Sequence, residues 1–265
     1  MSIGVVLPGV FVLFMITSVL VVAMQLAVRR GLKLSVRRIE ALDRIDDFIG
    51  RTTEMGGTLV LITGYGGVSA AAAGETMCAF AMVHYVAERT AKLGTRILVA
   101  AGHAEQIPIL EDMVQTASSI AGNPDYYKGG GEIVRLISGA DTESYGTATL
   151  MLLDRRSGVN AKAMIAFGAG GVWNRDAPQV GITANLNGIV TIAGTAALHQ
   201  IYNYIACFDY AVISDEVFAM SAYLTHEQNQ IGTIAGTDFS KLLIIGLLIV
   251  GFIYAAVSRG GLLFT

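Results

Sequence analysis

The apolar run Ile3–Val28 constrains this chain most, because a segment of that length and composition is typical of a helix that crosses a membrane. Its polar residues are Thr17, Ser18 and Gln25. At 1.5 Å per residue, the run exceeds the roughly 20 residues that cross the hydrocarbon core of a bilayer. The sequence therefore predicts an N-terminal transmembrane helix over residues 1–28.

A second apolar stretch, Leu242–Val257, follows Lys241 near the other end of the chain. Only 15% of the residues are charged, against roughly 25% in ordinary soluble domains. Composition and length together predict a second transmembrane helix, with a short tail, within residues 241–265.

Basic residues cluster directly after the first apolar run. This neck, residues 29–38, contains Arg29, Arg30, Lys33, Arg37 and Arg38. A cleaved signal peptide would have its basic residues before a shorter apolar core. Positive charge marks the cytoplasmic flank of a membrane helix, so we expect a prokaryotic cytoplasmic membrane, both termini outside it, and the neck in contact with membrane lipid.

The long stretch between the two apolar runs, residues 39–240, predicts one cytoplasmic domain. It contains all 21 acidic residues of the chain and 11 of the 18 basic ones, which gives it a formal charge of −10. That sign excludes a nucleic-acid partner. The spacing of Cys78 and Cys207 matches no metal or redox motif, so two buried thiols in a reducing compartment are expected.

Short apolar strands alternate with helical patterns along this domain. Helical periodicity runs through residues 39–49, and strands are predicted at 58–62, 95–100, 132–138, 161–168 and 209–214, with helices between them and at 196–207 and 215–224. Short, fully apolar strands are typical of a parallel sheet that is buried on both faces. The sequence predicts an α/β domain with a mostly parallel sheet and flanking helices.

The pentapeptide TIAGT occurs twice, at Thr191–Thr195 and Thr233–Thr237. In each copy Thr-Ile-Ala ends an apolar run, glycine permits a turn, and the last threonine is a good N-cap for a following helix. The flanking sequences differ, so the repeat indicates the same strand-to-helix junction used twice and no duplicated domain.

A glycine-rich turn, ITGYGGVSA, follows the first strand and precedes a helix. This is the order found in dinucleotide-binding folds, but Ser69 stands where their last glycine would be, after Gly64, Gly66 and Gly67. The second strand ends in Ala100–Gly102, with no acidic residue for a ribose. A tight turn, a phosphate or nucleotide cradle, and a serine nucleophile at Ser69 remain alternatives.

Among the histidines, His103 is the candidate for chemistry, because it lies in a strand-end loop two residues before Glu105. The spacing of the four histidines does not fit a metal-binding helix. We therefore assign no catalytic residue, no metal site and no cofactor from the sequence.

The order of several segments resembles a known family. The chain resembles an uncharacterised family of bacterial and archaeal membrane proteins, defined by domain of unknown function 6754. The similar segments are the basic neck, RRIEALDRIDDFIGRTTEMG, AERTAKLGT, ACFDYAVISDEVFAMSAYL and GTDFSKLLIIG. The resemblance covers about residues 37–246. It implies one membrane-attached domain and carries no known activity or site.

Three functions remain open at this point. The first is a membrane-anchored, non-enzymatic scaffold that forms a homo-oligomer, alone or with other membrane proteins. Small residues permit close packing between subunits, and the candidate interface contains Gly168, Gly170, Gly171 and Trp173. The second is a nucleotide- or anion-sensing module that uses the Gly64–Gly67 turn, and the third is a membrane-tethered hydrolase.

Overall fold

The computed structural model describes residues 8–34, 38–64, 66–68, 73–127, 133–137, 142–167, 186, 188–193, 205, 208–213, 215–226 and 228–260. The chain forms two compact units. One comprises residues 1–37 and 226–265, and the other comprises residues 38–225.

The first unit contains two long helices, α1 (Pro8–Arg29) and α7 (Gln228–Gly260). Helix α1 ends where the backbone turns left-handed at Gly31, at a φ of +104°. The amides of Gly31 and Leu32 bond back to the carbonyls of Val28 and Ala27, the pattern of a glycine C-cap that satisfies the last turn. The predicted first span is therefore helical over its described part.

Helices α1 and α7 pack closely because two glycines of α7 face α1. A Cβ on Gly236 would lie 2.6 Å from the Cα of Val21, and a Cβ on Gly232 would lie 3.0 Å from the Cα of Gln25. The Gln25 side-chain amide also donates to the hydroxyl of Thr233 at 2.7 Å. Since residue numbers rise along one helix as they fall along the other, the pair is antiparallel.

This packing corrects the interpretation of the second TIAGT copy. Thr233–Thr237 lies inside the continuous helix α7, so Thr237 is not an N-cap and Gly236 makes no turn. In that copy glycine provides space for a neighbouring helix, the role of a small-xxx-small motif. In the first copy the strand prediction is confirmed, and the helix predicted over 196–207 falls largely outside the described residues.

The second unit is the α/β domain. Its described helices are α2 (Glu40–Glu54), α3 (Ala73–Leu93), α4 (Ile107–Ile120), α5 (Thr142–Leu153) and α6 (Asp215–Thr225). Its strands are β1 (Thr58–Ile62), β2 (Arg96–Ala101), β3 (Val134–Leu136), β4 (Ala161–Phe167), β5 (Gly188–Ala193) and β6 (Tyr210–Ile213).

The six strands form one parallel sheet in the order β3-β2-β1-β4-β5-β6. This is the strand order of the doubly wound dinucleotide-binding folds. The α/β prediction with a parallel sheet is confirmed. For the five strands whose bounds the sequence predicts, the described bounds differ by no more than two residues at either end, whereas β5 is predicted without bounds, from the apolar run that ends in the first TIAGT copy.

Alternate residues of the central strands enter two separate cores. Leu59 and Leu61 of β1 face the core under α2, α3, α4 and α6, whereas Val60 and Ile62 face the core that includes Tyr145 and Leu153 of α5. Burial on both faces explains why these strands contain runs of apolar residues and no polar alternation.

Candidate functional site

The order of the strands reverses direction between β1 and β4. From β1 the chain proceeds outward through β2 to β3, and from β4 it proceeds the opposite way through β5 to β6. In open α/β sheets, ligands bind in the crevice outside the carboxyl ends of the strands at such a switch point. The glycine turn after β1 lies at this crevice, which makes it the candidate site.

The turn begins with Thr63 and Gly64 immediately after β1. Gly64 has a φ of +86°, a backbone conformation that residues with a Cβ rarely adopt. The Thr63 hydroxyl lies 3.0 Å from the Ala100 carbonyl oxygen and 3.2 Å from Oε1 of Gln106. Since a hydroxyl has one proton, it serves one of these acceptors at a time.

Gln106 connects the turn after β1 with the loop after β2. Its side chain is fully buried. Nε2 donates to the Gly66 carbonyl at 2.6 Å, and Oε1 accepts from the Gly102 amide at 2.9 Å. The Thr76 hydroxyl of α3 donates to the same Gly66 carbonyl at 2.9 Å. These bonds fix the position of the glycine turn against α3 and the β2 loop.

Glu105 occupies the glycine turn with its carboxylate. Its Oε1 accepts a hydrogen bond from the Val68 amide at 2.7 Å. A Cβ on Gly67 would lie 2.4 Å from this oxygen and 3.8 Å from Cδ2 of His103, so glycine permits the approach. The Val68 backbone amide is therefore placed to bind an anion, and the Glu105 carboxylate of the same chain occupies that position.

Tyr145 closes the crevice from the α5 side. It is buried, and its hydroxyl donates to the Ala100 carbonyl at 3.1 Å. Burial raises the pKa of Tyr145 far above its ordinary value, because the phenolate would be desolvated. The residue therefore remains a neutral hydrogen-bond donor at physiological pH.

This arrangement can bind a hydrogen-bond donor at Glu105, or an anion that displaces Glu105 from the Val68 amide. No acidic residue stands at the end of β2 itself, yet Glu105, four residues beyond that strand, contacts the turn. Sequence reasoning assigned no role to Gln106. The signal that could have found both residues is the polar stretch GHAEQ between a buried strand and a helix.

The remaining predicted residues divide into two groups. Ser69, Arg37, Gly168, Gly170, Gly171 and Trp173 lie outside the described residues. Arg29, Arg30 and Lys33 are exposed at the end of α1, and Arg38 is exposed and pairs with Asp43 at 2.7 Å. Within the described part of the chain, no group of three or more histidine, cysteine or acidic side chains could hold a metal ion.

No curated protein and no solved structure matches this chain. A family model does match it, over residues 5–262, and therefore over both apolar helices and the whole α/β domain. The chain belongs to the family described as Domain of unknown function (DUF6754).

Proposed function

We propose that this protein is a membrane-anchored, self-assembling scaffold or accessory protein without enzymatic activity, whose α/β domain lies on the cytoplasmic side of a prokaryotic membrane. The observation that carries the proposal is the exposed apolar surface of α1 and α7. The segments Phe11–Arg29 and Gln230–Ile253 have mean hydropathies of 2.5 and 1.8, yet only 6% and 11% of their residues are buried.

Low burial separates these helices from the core helices of soluble proteins. A core helix is apolar because other elements cover it, whereas a helix that is apolar and uncovered on most sides requires lipid. Phe14 is 65% exposed and Phe252 is 72% exposed. An uncovered apolar pair of this length supports a membrane hairpin held together by its own glycine contacts.

The cytoplasmic orientation rests on the basic residues after α1. Arg29, Arg30 and Lys33 are exposed where α1 ends, and positive charge favours the cytoplasmic flank. Because α1 and α7 are antiparallel, this orientation puts both termini on the outer side.

An ion pair in α7 supports self-assembly. Lys241 donates to Asp238 at 3.1 Å, and their side chains are 44% and 62% exposed. Continuing the antiparallel register from Gly232 and Gly236 puts Asp238 level with Val19 of α1. With Arg29 at the cytoplasmic interface, that level lies ten residues, or about 15 Å, into the bilayer, which is half the hydrocarbon thickness. This placement moves the start of the second span from the predicted residue 241 back to about residue 228.

Charged residues at that depth are costly and normally face the interior of a helix bundle. In a lone hairpin the Asp238–Lys241 pair would face lipid, so a second copy of the hairpin supplies the cover that the pair requires. Contacts of this kind hold membrane subunits together in the plane of the bilayer.

The mass of the particle extracted in mild detergent tests the assembly. We expect a homo-oligomer, and we expect Asp238→Asn combined with Lys241→Met to shift it towards monomer. Arg44→Met with Glu40→Gln, which removes an exposed pair from α2, is the control that leaves the mass unchanged. A folded, monodisperse monomer of the natural chain would exclude the scaffold.

A second candidate function is ligand sensing at the switch-point crevice. The observation that favours it is the Val68 amide, which holds the carboxylate of Glu105 where dinucleotide-binding folds hold a phosphate. If Glu105 competes with a ligand anion, Glu105→Ala raises the melting-temperature shift produced by ATP or NAD. Glu54→Ala, an exposed carboxylate at the end of α2, serves as control. Absence of any shift in all three proteins leaves the turn a purely structural element.

A further inference from the structure

A cavity of about 340 Å³ lies at the amino ends of the strands, at the edge of the sheet opposite the glycine turn. Its lining comes from the start of β1 and β2, from β3, and from the turn before β4. The lining residues that matter here are Thr58, Arg96, Leu98, Tyr126, Arg135 and Val159. Cavities of this volume lie within the range that accepts small organic ligands.

Two arginines reach this cavity from the same face of neighbouring strands. Arg135 of β3 is paired with Ala100 of β2, and Arg96 lies four residues before Ala100, so alternation puts all three on one face. Both arginines are exposed. Within the described ranges, neither guanidinium takes part in an ion pair.

The charge of the cavity differs in sign from that of the domain around it. Its described lining contains Arg96 and Arg135 and no carboxylate, although residues 38–225, with 19 acidic and 12 basic residues, have a formal charge of −7. Two arginines without an ion-pair partner among the described residues are stabilised by a bound anion. Planar guanidinium groups bind phosphate oxygens through paired hydrogen bonds.

The rest of the lining is suited to a ligand with an organic part. Leu98, Val159 and Tyr126 supply apolar and aromatic surface, and the Tyr126 hydroxyl is fixed by a hydrogen bond to the Thr95 carbonyl. A bare inorganic ion would leave this surface unused.

We propose that this cavity binds a small organic phosphate, with Arg96 and Arg135 around the phosphate group and Tyr126 beside the organic part. The described lining of this cavity shares no residue with the glycine turn, and Thr58 and Gly64 stand at opposite ends of β1. The proposal also does not depend on membrane anchoring or self-assembly.

Isothermal titration of the full chain in detergent tests the site with three probes: AMP, inorganic phosphate and adenosine. We expect AMP to bind, phosphate to bind more weakly, and adenosine not to bind. Arg96→Ala and Arg135→Ala should each weaken AMP binding about 10-fold or more, the loss of a charge-assisted contact. Arg135→Lys should bind AMP with an intermediate affinity, since it keeps the charge and loses the paired donors.

Matched controls separate this site from the crevice. Arg44→Ala removes an exposed arginine from α2 and should leave AMP binding unchanged, as should Glu105→Ala in the glycine turn. Melting temperatures of the arginine variants show that each has folded. The proposal is overturned if AMP does not bind at millimolar concentration, if both arginine variants bind AMP as the natural chain does, or if Glu105→Ala alone changes the affinity.

Discussion

Gln106 shows how a single residue fixes the shape of the candidate crevice. Its buried amide satisfies the Gly66 carbonyl and the Gly102 amide at once, joining parts of the chain that are 40 and 4 residues away from it. Buried backbone groups that lose their partners cost free energy, because water cannot reach them. The crevice therefore depends on this side chain as well as on its glycines.

We predict that Gln106→Ala lowers the free energy of unfolding of the α/β domain by about 1–3 kcal/mol. Denaturant titration followed by far-ultraviolet circular dichroism measures the change. Gln115→Ala, the same truncation at an exposed position of α4, should change the free energy by less than about 0.5 kcal/mol. Equal effects of the two substitutions would contradict the role given to Gln106.

Cys78 provides a second prediction at this scale. Burial raises the pKa of its thiol to about 11, because the thiolate would be desolvated. In a Cys207→Ser background, alkylation by iodoacetamide should rise about tenfold per pH unit up to pH 10. At pH 7 it should be roughly 100-fold slower than for a thiol of ordinary pKa, because burial raises the pKa from 9.0 to about 11. A rate that levels off below pH 9 would show that the thiol is not desolvated, and guanidinium-unfolded protein gives the reference rate.

Residue-level prediction from sequence succeeded only where the cause was local. The requirement for glycine at position 64 follows from the turn itself, and its φ of +86° agrees with that reasoning. Glu105 contacts Val68 across 37 residues of sequence. The polar stretch GHAEQ marks Glu105 as a candidate, but a local pattern does not identify its partner. Whether the turn binds a ligand stays a prediction.

At the scale of elements, the two TIAGT copies show how context overrides local preference. Thr191–Ala193 lies in the parallel strand β5, and Thr233–Thr237 lies inside α7. The second copy is helical because it lies inside the continuous helix α7, where α1 packs against Gly236 and against Gly232 just before the copy. Local sequence could predict the strand ends of the domain, but it could not predict this helix pairing.

The glycine contacts give a prediction for the hairpin. Gly236→Leu should separate α1 from α7, because even a Cβ would lie 2.6 Å from the backbone of Val21. Gly246→Leu is the matched control, since nothing lies within 4 Å of a Cβ at that position. Oxidative crosslinking between Gln25→Cys and Thr233→Cys, in a chain with Cys78 and Cys207 replaced by serine, measures the separation. Equal crosslinking in both glycine variants would mean that the glycine contact does not hold the hairpin.

At the scale of the whole molecule, the sequence indicated a parallel α/β domain and two apolar helices, but not the order of the strands. Apolar strands such as TLVLI predict burial on both faces, which the two cores of the sheet bear out. Strand order depends on which strand each new strand pairs with after its helical connection, and these pairings join residues that are far apart in the sequence. The position of the crevice at the β1–β4 switch could therefore be found only from the fold.

Membrane topology is the prediction that belongs to this scale. A reporter fused after Thr265 should lie outside the cytoplasmic membrane, and one inserted at residues 129–131 should lie inside, because the basic neck orients the first helix. Replacing Arg29, Arg30, Lys33, Arg37 and Arg38 together should give a mixture of orientations. An external location of the inserted reporter would refute the charge argument.

The unequal distribution of glycine contacts along α7 has a mechanical consequence. Gly232 and Gly236 pack directly against α1, whereas a Cβ at Gly246 or Gly251 would have no atom within 4 Å. Glycine lowers the stiffness of a helix unless neighbours brace it. Helix α7 should therefore be stiff over its first turns and more compliant between residues 246 and 251, so that bending of the helix in the bilayer concentrates there.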